Sequence, residues 1–545
     1  MSDRPNATPL LFRTAGPLSP IQRAALITAG LAGWPRYVAA ILLGALAAMA
    51  LPPFDLAPVL IVSFVGLVWL EDGSVDGRAA FALGWCFGFG FFTAGLYWIA
   101  AALLVDVQQF WWLLPFAVLG VPAGFGLFTG AAVFTAHLAC DRLSLVGTAR
   151  ILVLVAAWAI AEWLRGHVLT GFPWNLIGYA WSGGFPGGLA PLQAVSLVGI
   201  YGLSLLTVLA AALPARLGDL TGRRRAAPLI AVVLMAALFG GGALRLAQDE
   251  PTSVPGVMLR LVQPSIPQTL RNDPVADRAN FRRLLALSGT PAAVTPTIIV
   301  WPEGSAPPFL ARDDDARRAI AATLAKGAIA LVGTARTDPV PARPQHYWNT
   351  LDAIDDRGAI VGYYDKFHLV PFGEYVPLRD ILPINKITPG TTDFSAGPGP
   401  QTLELTGVPP FSPLICYEVI FPTEVVDEAQ RPDWLLNITN DAWYGFTSGP
   451  FQHLAIARVR AVEEGLPLVR DGNNGISAII DAYGHVEQRL DLDAVGVLDG
   501  RLPGKLPPTA YSRIGDGAFA AMVAMLLAFA GITHRPRGRS ADKSI

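Results

Sequence analysis

The sequence predicts an α/β domain carried by a transmembrane helix bundle, and three observations predict it. Hydrophobic residues make up 52% of the 545-residue chain and charged residues 15%, with a mean hydropathy of +0.44, a balance that places much of the chain in lipid. Apolar stretches at 37–51, 55–70, 79–104, 110–136, 149–164, 189–213, 228–246 and 517–533 give about eight spans, most of them near the ~20 residues a helix needs to cross a bilayer. Between the last two, strand-length apolar runs alternate with helical patterns, the grammar of an α/β domain.

The expected organisation is 1–246 as about seven transmembrane helices, 247–510 as the α/β domain, and 511–545 as a last helix and tail. The first two stretches are short and joined by Leu51-Pro52-Pro53-Phe54, so they read as two spans or as a tight re-entrant pair. The first apolar run lies deep in the chain and continues into further spans, which reads as a retained anchor rather than a cleaved signal peptide. Arg78, Arg142, Arg150, Arg216 and Arg223 to Arg225 fall in alternate connections, and Arg535, Arg537, Arg539 and Lys543 in the tail, whereas the turns near Asp55 and Asp106 carry no Lys or Arg. By the positive-inside rule the arginine-bearing connections face the cytoplasm and 247–510 faces outward. The tail after Thr533 reads as disordered.

Within 247–510, the runs 257–263, 297–301, 328–333 and 434–438 are expected as buried strands, and 274–288, 312–326 and 449–464 as helices. Asp313-Asp314-Asp315 reads as the acidic first turn of the second helix. A formal net charge of -2 gives no electrostatic footprint for nucleic acid. Cys86 and Cys140 lie in apolar stretches and Cys416 stands alone in the polar region, so no disulfide framework forms there. His368 and His453 lack the spacing of the usual metal signatures, and no metal is expected.

Three polar groups each follow a strand-like run: Glu303 after Ile298-Ile299-Val300-Trp301-Pro302, Lys366 after Ile360-Val361-Gly362-Tyr363-Tyr364-Asp365, and Cys416 after Pro413-Leu414-Ile415. Carboxyl ends of strands are where α/β sheets present side chains to ligands. A thiol needs a base to become a nucleophile near neutral pH, and Glu303 supplies one. Attack on an ester carbonyl creates an oxyanion that the Lys366 ammonium with a backbone N–H can meet, and the product is a thioester. Taken singly, Cys416 reads more readily as a small core residue than as a nucleophile, and Glu303 and Lys366 as surface charges closing strands.

Trp301-Pro302-Glu303, the run from Asp365-Lys366-Phe367 through Gly373-Glu374-Tyr375-Val376-Pro377, and Ile415-Cys416-Tyr417-Glu418 resemble, in this order, the three catalytic segments of the carbon-nitrogen hydrolase (nitrilase) superfamily. With Glu162-Trp163-Leu164-Arg165-Gly166, Thr170-Gly171-Phe172-Pro173-Trp174, Asn440-Asp441-Ala442-Trp443-Tyr444-Gly445 and Asn473-Asn474-Gly475-Ile476, the chain resembles the apolipoprotein N-acyltransferase branch over nearly its whole length. The resemblance implies an αββα-sandwich, nitrilase-like periplasmic domain in a multi-pass protein of the bacterial inner (cytoplasmic) membrane. It assigns Glu303 as base, Lys366 as oxyanion stabiliser and Cys416 as nucleophile, with Glu374 and Glu418 as supporting carboxylates and Tyr417 beside the nucleophile. The implied reaction moves an acyl chain from a phospholipid, through a Cys416 thioester, to the N-terminal amine of a diacylglyceryl-cysteine apolipoprotein, with no soluble cofactor. The alternative is a membrane-tethered amidase or nitrilase with water as acceptor. In two places the chain departs from the family: Gly304 follows Glu303 where relatives often have Ser or Thr, and Asn272 stands where some carry tryptophan, so no lid contact is carried over from that tryptophan.

Substrate contacts are expected from three further residues. Glu162 and Arg165 lie one helical turn apart, as a structural ion pair or with Arg165 on a lipid phosphate. Trp443 and Tyr444, with Phe446, sit in a polar, Gly-containing stretch and read as core aromatics or as a lipid-facing lid.

Overall fold

A computed structural model describes residues 17–220, 225–248, 252–271, 273–339, 345–379, 381, 386–388 and 392–533. The expectations placed on Arg223, Arg224, Asn272 and the tail beyond Thr533 lie outside these residues. Each of the eight apolar stretches contains a helix: Trp34–Ala48, Val59–Asp72, Gly77–Leu96, Val121–Leu143, Thr148–His167, Val195–Ala212, Ala226–Leu246 and Gly517–Thr533.

Among the described residues, four helical stretches are long and apolar enough to cross a membrane: Gly77–Leu96, Val107–Leu143, Val195–Gly218 and Ala226–Leu246. Pro20–Ala29 and Trp34–Ala48, bent by 117°, make a fifth if they form one span. The bend of that pair falls at Gly30 to Gly33, and the Leu51-Pro52-Pro53-Phe54 turn joins Trp34–Ala48 to Val59–Asp72, which pack against each other. Val59–Asp72 has only 14 residues, Thr148–His167 carries Arg150, Glu162 and Arg165, and the apolar run Gly517–Ile532 is short. Gly44 and Gly90 bring two helices into backbone contact: a β-carbon at either would enter the carbonyl of Phe87 or Ile41, the close approach small residues permit in membrane bundles.

Residues 258–501 form two six-stranded sheets. In chain order the strands are β1 (Met258–Gln263), β2 (Ile298–Trp301), β3 (Ile329–Thr337), β4 (Tyr347–Asp355), β5 (Ile360–Asp365), β6 (Leu403–Leu405), β7 (Val408–Ile415), β8 (Trp434–Thr439), β9 (Leu468–Gly472), β10 (Ser477–Ile480), β11 (Val486–Leu490) and β12 (Gly496–Arg501). The sheet orders are β12-β1-β2-β3-β4-β5 and β11-β10-β9-β8-β7-β6. β1, β2 and β3 run parallel, as do β7, β8 and β9, with antiparallel strands outside each trio. Leu259, Leu261, Val300, Leu331, Phe411, Trp434, Leu436 and Ile438 meet between the sheets.

Helices Pro274–Ser288 and Asp314–Ala321 cover the first sheet, where Leu284 and Ile320 pack on Ile299 and Trp301. Asp313 caps the second of these, with Asp314 and Asp315 in its first turn, as its composition predicts. Helix Gly449–Glu464 covers the second sheet and is itself buried against the bundle, so one apolar core runs through both. Polar ties fix that seam: Gln452 Oε1 accepts from the indoles of Trp98 (3.1 Å) and Trp174 (2.8 Å), and Glu463 Oε1 accepts from the Ile200 N–H (2.7 Å). The Ile200 N–H is free because Gly199, at φ 65°, breaks the helix there.

Candidate active site

The two sheets deliver the three expected groups from opposite sides. Pro302-Glu303 follows β2 and Lys366 follows β5 in the first sheet, while Cys416 follows β7 in the second. All three are buried. Gly333 lets the Pro302–Gly304 loop lie on β3, since a β-carbon there would strike it. Lys366 Nζ stands 3.0 Å from Glu374 and 3.6 Å from Glu303. Burial alone would depress the Lys366 pKa, but Glu374 and Glu303 outweigh it and hold the ammonium above the ordinary lysine value.

Asn349 on β4 was not singled out by its sequence, yet its Nδ2 donates to both Glu303 Oε1 (2.7 Å) and Glu374 Oε1 (2.9 Å). The Asn440 N–H donates to Glu303 Oε2 (2.9 Å), and the Val370 N–H to Glu374 Oε2 (2.8 Å). Glu303 is thus oriented at both oxygens.

Cys416 opens a 3₁₀ turn, Cys416–Ile420, with φ 53°, a left-handed conformation that costs a non-glycine residue energy and that surrounding contacts must hold. Two groups hold it. Glu418 accepts from the N–H groups of Ile415 (2.7 Å), Phe367 (2.7 Å) and His368 (3.2 Å) and from the Tyr364 hydroxyl (3.0 Å), tying the Lys366 strand end to the cysteine turn. Burial pushes Glu418 up to about 7 against the opposing Ile415 N–H.

His453 is the second, its Nε2 lying 3.2 Å from the Cys416 carbonyl. Its Nδ1 faces Asp441 Oδ1 and Arg470 Nη2, each at 3.0 Å. Burial and Arg470 lower its pKa against the opposing Asp441 carboxylate. Burial would raise Asp441, but Arg470 and His453 hold it well below the usual carboxylate range. His368, the other histidine weighed as a ligand, bonds Glu424 (2.9 Å) and the Thr170 carbonyl (3.0 Å) and stacks on Phe421 at 3.6 Å.

The thiol is pushed up to about 12, by burial first and the Glu303 carboxylate second, with Lys366 opposing. The resting group is a thiol, so attack requires a base. Tyr444 Oη lies 4.0 Å from Cys416 Sγ, its ring set edge-on against Trp98 (4.7 Å) and Trp174 (5.9 Å) of the bundle.

Tyr417 turns away, donating to the Gly171 carbonyl at 3.1 Å. Trp443 is half-buried in the turn Asp441–Tyr444. Arg165 is not brought to the cysteine: it is buried, donates to the carbonyls of Phe172 and Trp174 (both 2.6 Å) and lies over the Phe92 ring at 5.0 Å. Glu162 turns instead to the Ile177 N–H (3.1 Å) and Ser204. Arg165 is therefore the brace of the 172–174 loop whose neighbours Thr170 and Gly171 grip His368 and Tyr417.

The family model of the apolipoprotein N-acyltransferase N-terminal domain matches residues 43–213, and that of the carbon-nitrogen hydrolases matches 259–506. The apolipoprotein N-acyltransferase of Rhodopseudomonas palustris is 43% identical over 525 residues, 93% of this chain and 96% of that protein. The one from Bradyrhizobium diazoefficiens is 43% identical over 517 residues, 91% of this chain and 95% of that protein. With both parts of the chain matched and this similarity extending nearly end to end, the protein belongs to the apolipoprotein N-acyltransferase family, a membrane branch of the carbon-nitrogen hydrolase superfamily.

Proposed function

We propose that Cys416 takes a fatty acyl chain from a membrane phospholipid as a thioester and passes it to the N-terminal amine of a diacylglyceryl-cysteine apolipoprotein. Lipoprotein N-acylation is the activity of this family member; the assignment of its steps to side chains rests on one observation, the convergence of Glu303, Lys366 and Cys416 in one buried site roofed by a bundle-contacting aromatic, Tyr444. Glu303 accepts the thiol proton as sulfur attacks the donor ester carbonyl. Lys366 and a main-chain N–H meet the oxyanion. Collapse breaks the ester C–O bond, and the lysophospholipid oxygen leaves with the proton from Glu303. The neutral amine then attacks the thioester, gives a proton to Glu303, and expels the sulfur, which recovers it. Glu374 and Glu418 hold Lys366 and the cysteine turn, and Tyr417 holds the loop of the bundle.

We place the chain in the bacterial inner membrane with about eight spans and divide it at 1–246, 247–510 and 511–545, with the second part periplasmic. Arg150 bonds both Asp72 (2.7 Å) and Asp219 (3.0 Å), which gathers three basic connections at one end of the bundle. Trp98, beyond the far end of helix Gly77–Leu96, bonds Gln452 of the α/β domain. Basic connections and active site thus occupy opposite ends, as the positive-inside rule requires of an outward-facing site.

The test incubates purified protein with labelled phospholipid and follows intact mass. Label on Cys416 that neutral hydroxylamine removes, and that a diacylated lipopeptide discharges as triacylated peptide, is the expected result. Release of free fatty acid without acyl-enzyme selects the amidase-type hydrolase instead, and no reaction in a folded preparation defeats both readings.

A further inference from the structure

Arg271 reaches the catalytic loop from the segment that follows β1. The Gln268–Leu270 turn is held by Gln268 Oε1, which accepts from Asn440 Nδ2 (2.7 Å), and by the Leu270 carbonyl, which accepts from Asn280 Nδ2 (3.1 Å). From there the Arg271 guanidinium passes over Gly304 and donates through Nη2 to the Glu303 main-chain carbonyl. Gly304 is what admits it: at φ +50°, a β-carbon there would stand 2.5 Å from Arg271 Nη2. Nη1 is buried and has no hydrogen-bond partner among the described residues. A buried guanidinium edge without an acceptor calls for an anion, and a planar fork is suited to phosphate. The charges of Glu303 and Cys416 act on this guanidinium, which lies against the catalytic loop.

We propose that Arg271 binds the phosphodiester of the acyl-donor phospholipid and so sets the ester carbonyl against Cys416. The inference rests on the phospholipid-donor reading above. In a glycerophospholipid the phosphorus is only a glycerol backbone away from the acyl ester, so a cation on the wall of the site can hold one while the thiol takes the other. The diacylglyceryl-cysteine acceptor has no phosphate, so Arg271 serves the first half-reaction alone.

The experiment measures acyl-enzyme formation by the full-length protein from phosphatidylglycerol and from a diacylglycerol with the same acyl chains. In R271Q the ratio of the two rates is expected to fall about 10- to 100-fold, the loss of a charge-assisted contact. G304A, whose methyl takes the place of Nη2, is expected to lower the same ratio with the arginine retained. Discharge of preloaded acyl-enzyme by lipopeptide should be equal in all three proteins. A parallel fall with both donors in R271Q overturns the proposal, marking a structural or oxyanion role. Inorganic phosphate that slows wild-type loading from diacylglycerol, but not that of R271Q, while the donor ratio is unchanged, also overturns it by identifying a free-phosphate site. If wild type loads from diacylglycerol but from no phospholipid, the donor reading itself fails.

Discussion

The Nε2–H of His453 donates to the main-chain carbonyl of Cys416 at 3.2 Å, so the ring braces the backbone of the nucleophile rather than its sulfur. Nε2 faces a carbonyl, which only accepts, and that puts a proton there; Nδ1 lies 3.0 Å from both Asp441 Oδ1 and Arg470 Nη2. Because Cys416 sits at φ 53°, loss of the donor frees a strained turn. H453L is expected to slow acylation about 10- to 100-fold, in line with an unsatisfied buried carbonyl, with the KM for phospholipid unchanged. H453Q, which restores an N–H at the ε position, should recover most of it. A folded H453L enzyme with wild-type acylation, or an H453Q no better than H453L, would show that the contact is incidental.

Glu303 has two opposite effects on Cys416, and they can be separated. Its charge helps hold the thiol at about 12, so E303Q should lower that value and raise the rate of alkylation by iodoacetamide at any pH below it. The same variant lacks the base and should acylate about 100-fold more slowly. K366M removes the opposing charge, so alkylation and acylation should both fall, the latter by about 100- to 1000-fold. In wild type, alkylation should climb with pH without a plateau near neutrality. If E303Q slows alkylation as well as acylation, the Glu303 charge is not what holds the thiol up.

The chemistry was legible where an apolar run stops at a polar residue: Ile298–Trp301 before Glu303, Ile360–Asp365 before Lys366 and Val408–Ile415 before Cys416 are all strands. Helix Gly449–Glu464 has the bounds its pattern predicts. The partners that orient these groups were not legible, because they are fixed by sheet register. Asn349 is 46 positions from Glu303, and Asn440 is 137. The sequence leaves Arg165 open between an ion pair with Glu162 and a lipid-phosphate contact; in the fold the Phe172 and Trp174 carbonyls lie within its reach, and the guanidinium donates to them. Each of the eight apolar stretches holds a helix among the described residues, but hydropathy gave neither their lengths nor Pro20–Ala29, which pairs with Trp34–Ala48.

The orientation of the bundle gives a prediction of its own. A reporter active only outside the cytoplasm should work when fused near Pro341 and fail at Arg224 or Ser540, positions outside the described residues. External protease should cut only within 247–510. The reverse pattern would put the active site in the cytoplasm and contradict the arginine distribution.

Asn349 carries the sharpest prediction about the base. One amide group donates to Glu303 (2.7 Å) and Glu374 (2.9 Å), while a single ammonium, Lys366, lies 3.6 Å and 3.0 Å from the same two carboxylates. The Lys366 ammonium thus lies between the two carboxylates, and the neutral Asn349 amide bridges them without adding charge. N349A removes the donors and should slow acylation about 10- to 100-fold, leaving the shape of its pH profile intact because the charge count is unchanged. N349D sets a third carboxylate against Glu303. Like charges at that distance cannot all ionise, so a proton is retained on the cluster and Glu303 becomes available as a base only at higher pH. The acid limb of the acylation rate should accordingly move upward in N349D relative to wild type, and raising the pH should restore part of the lost rate in N349D but not in N349A. Measured by single-turnover loading of Cys416 across pH, identical profiles in the two variants would show that Asn349 is packing rather than part of the charge arrangement around the base.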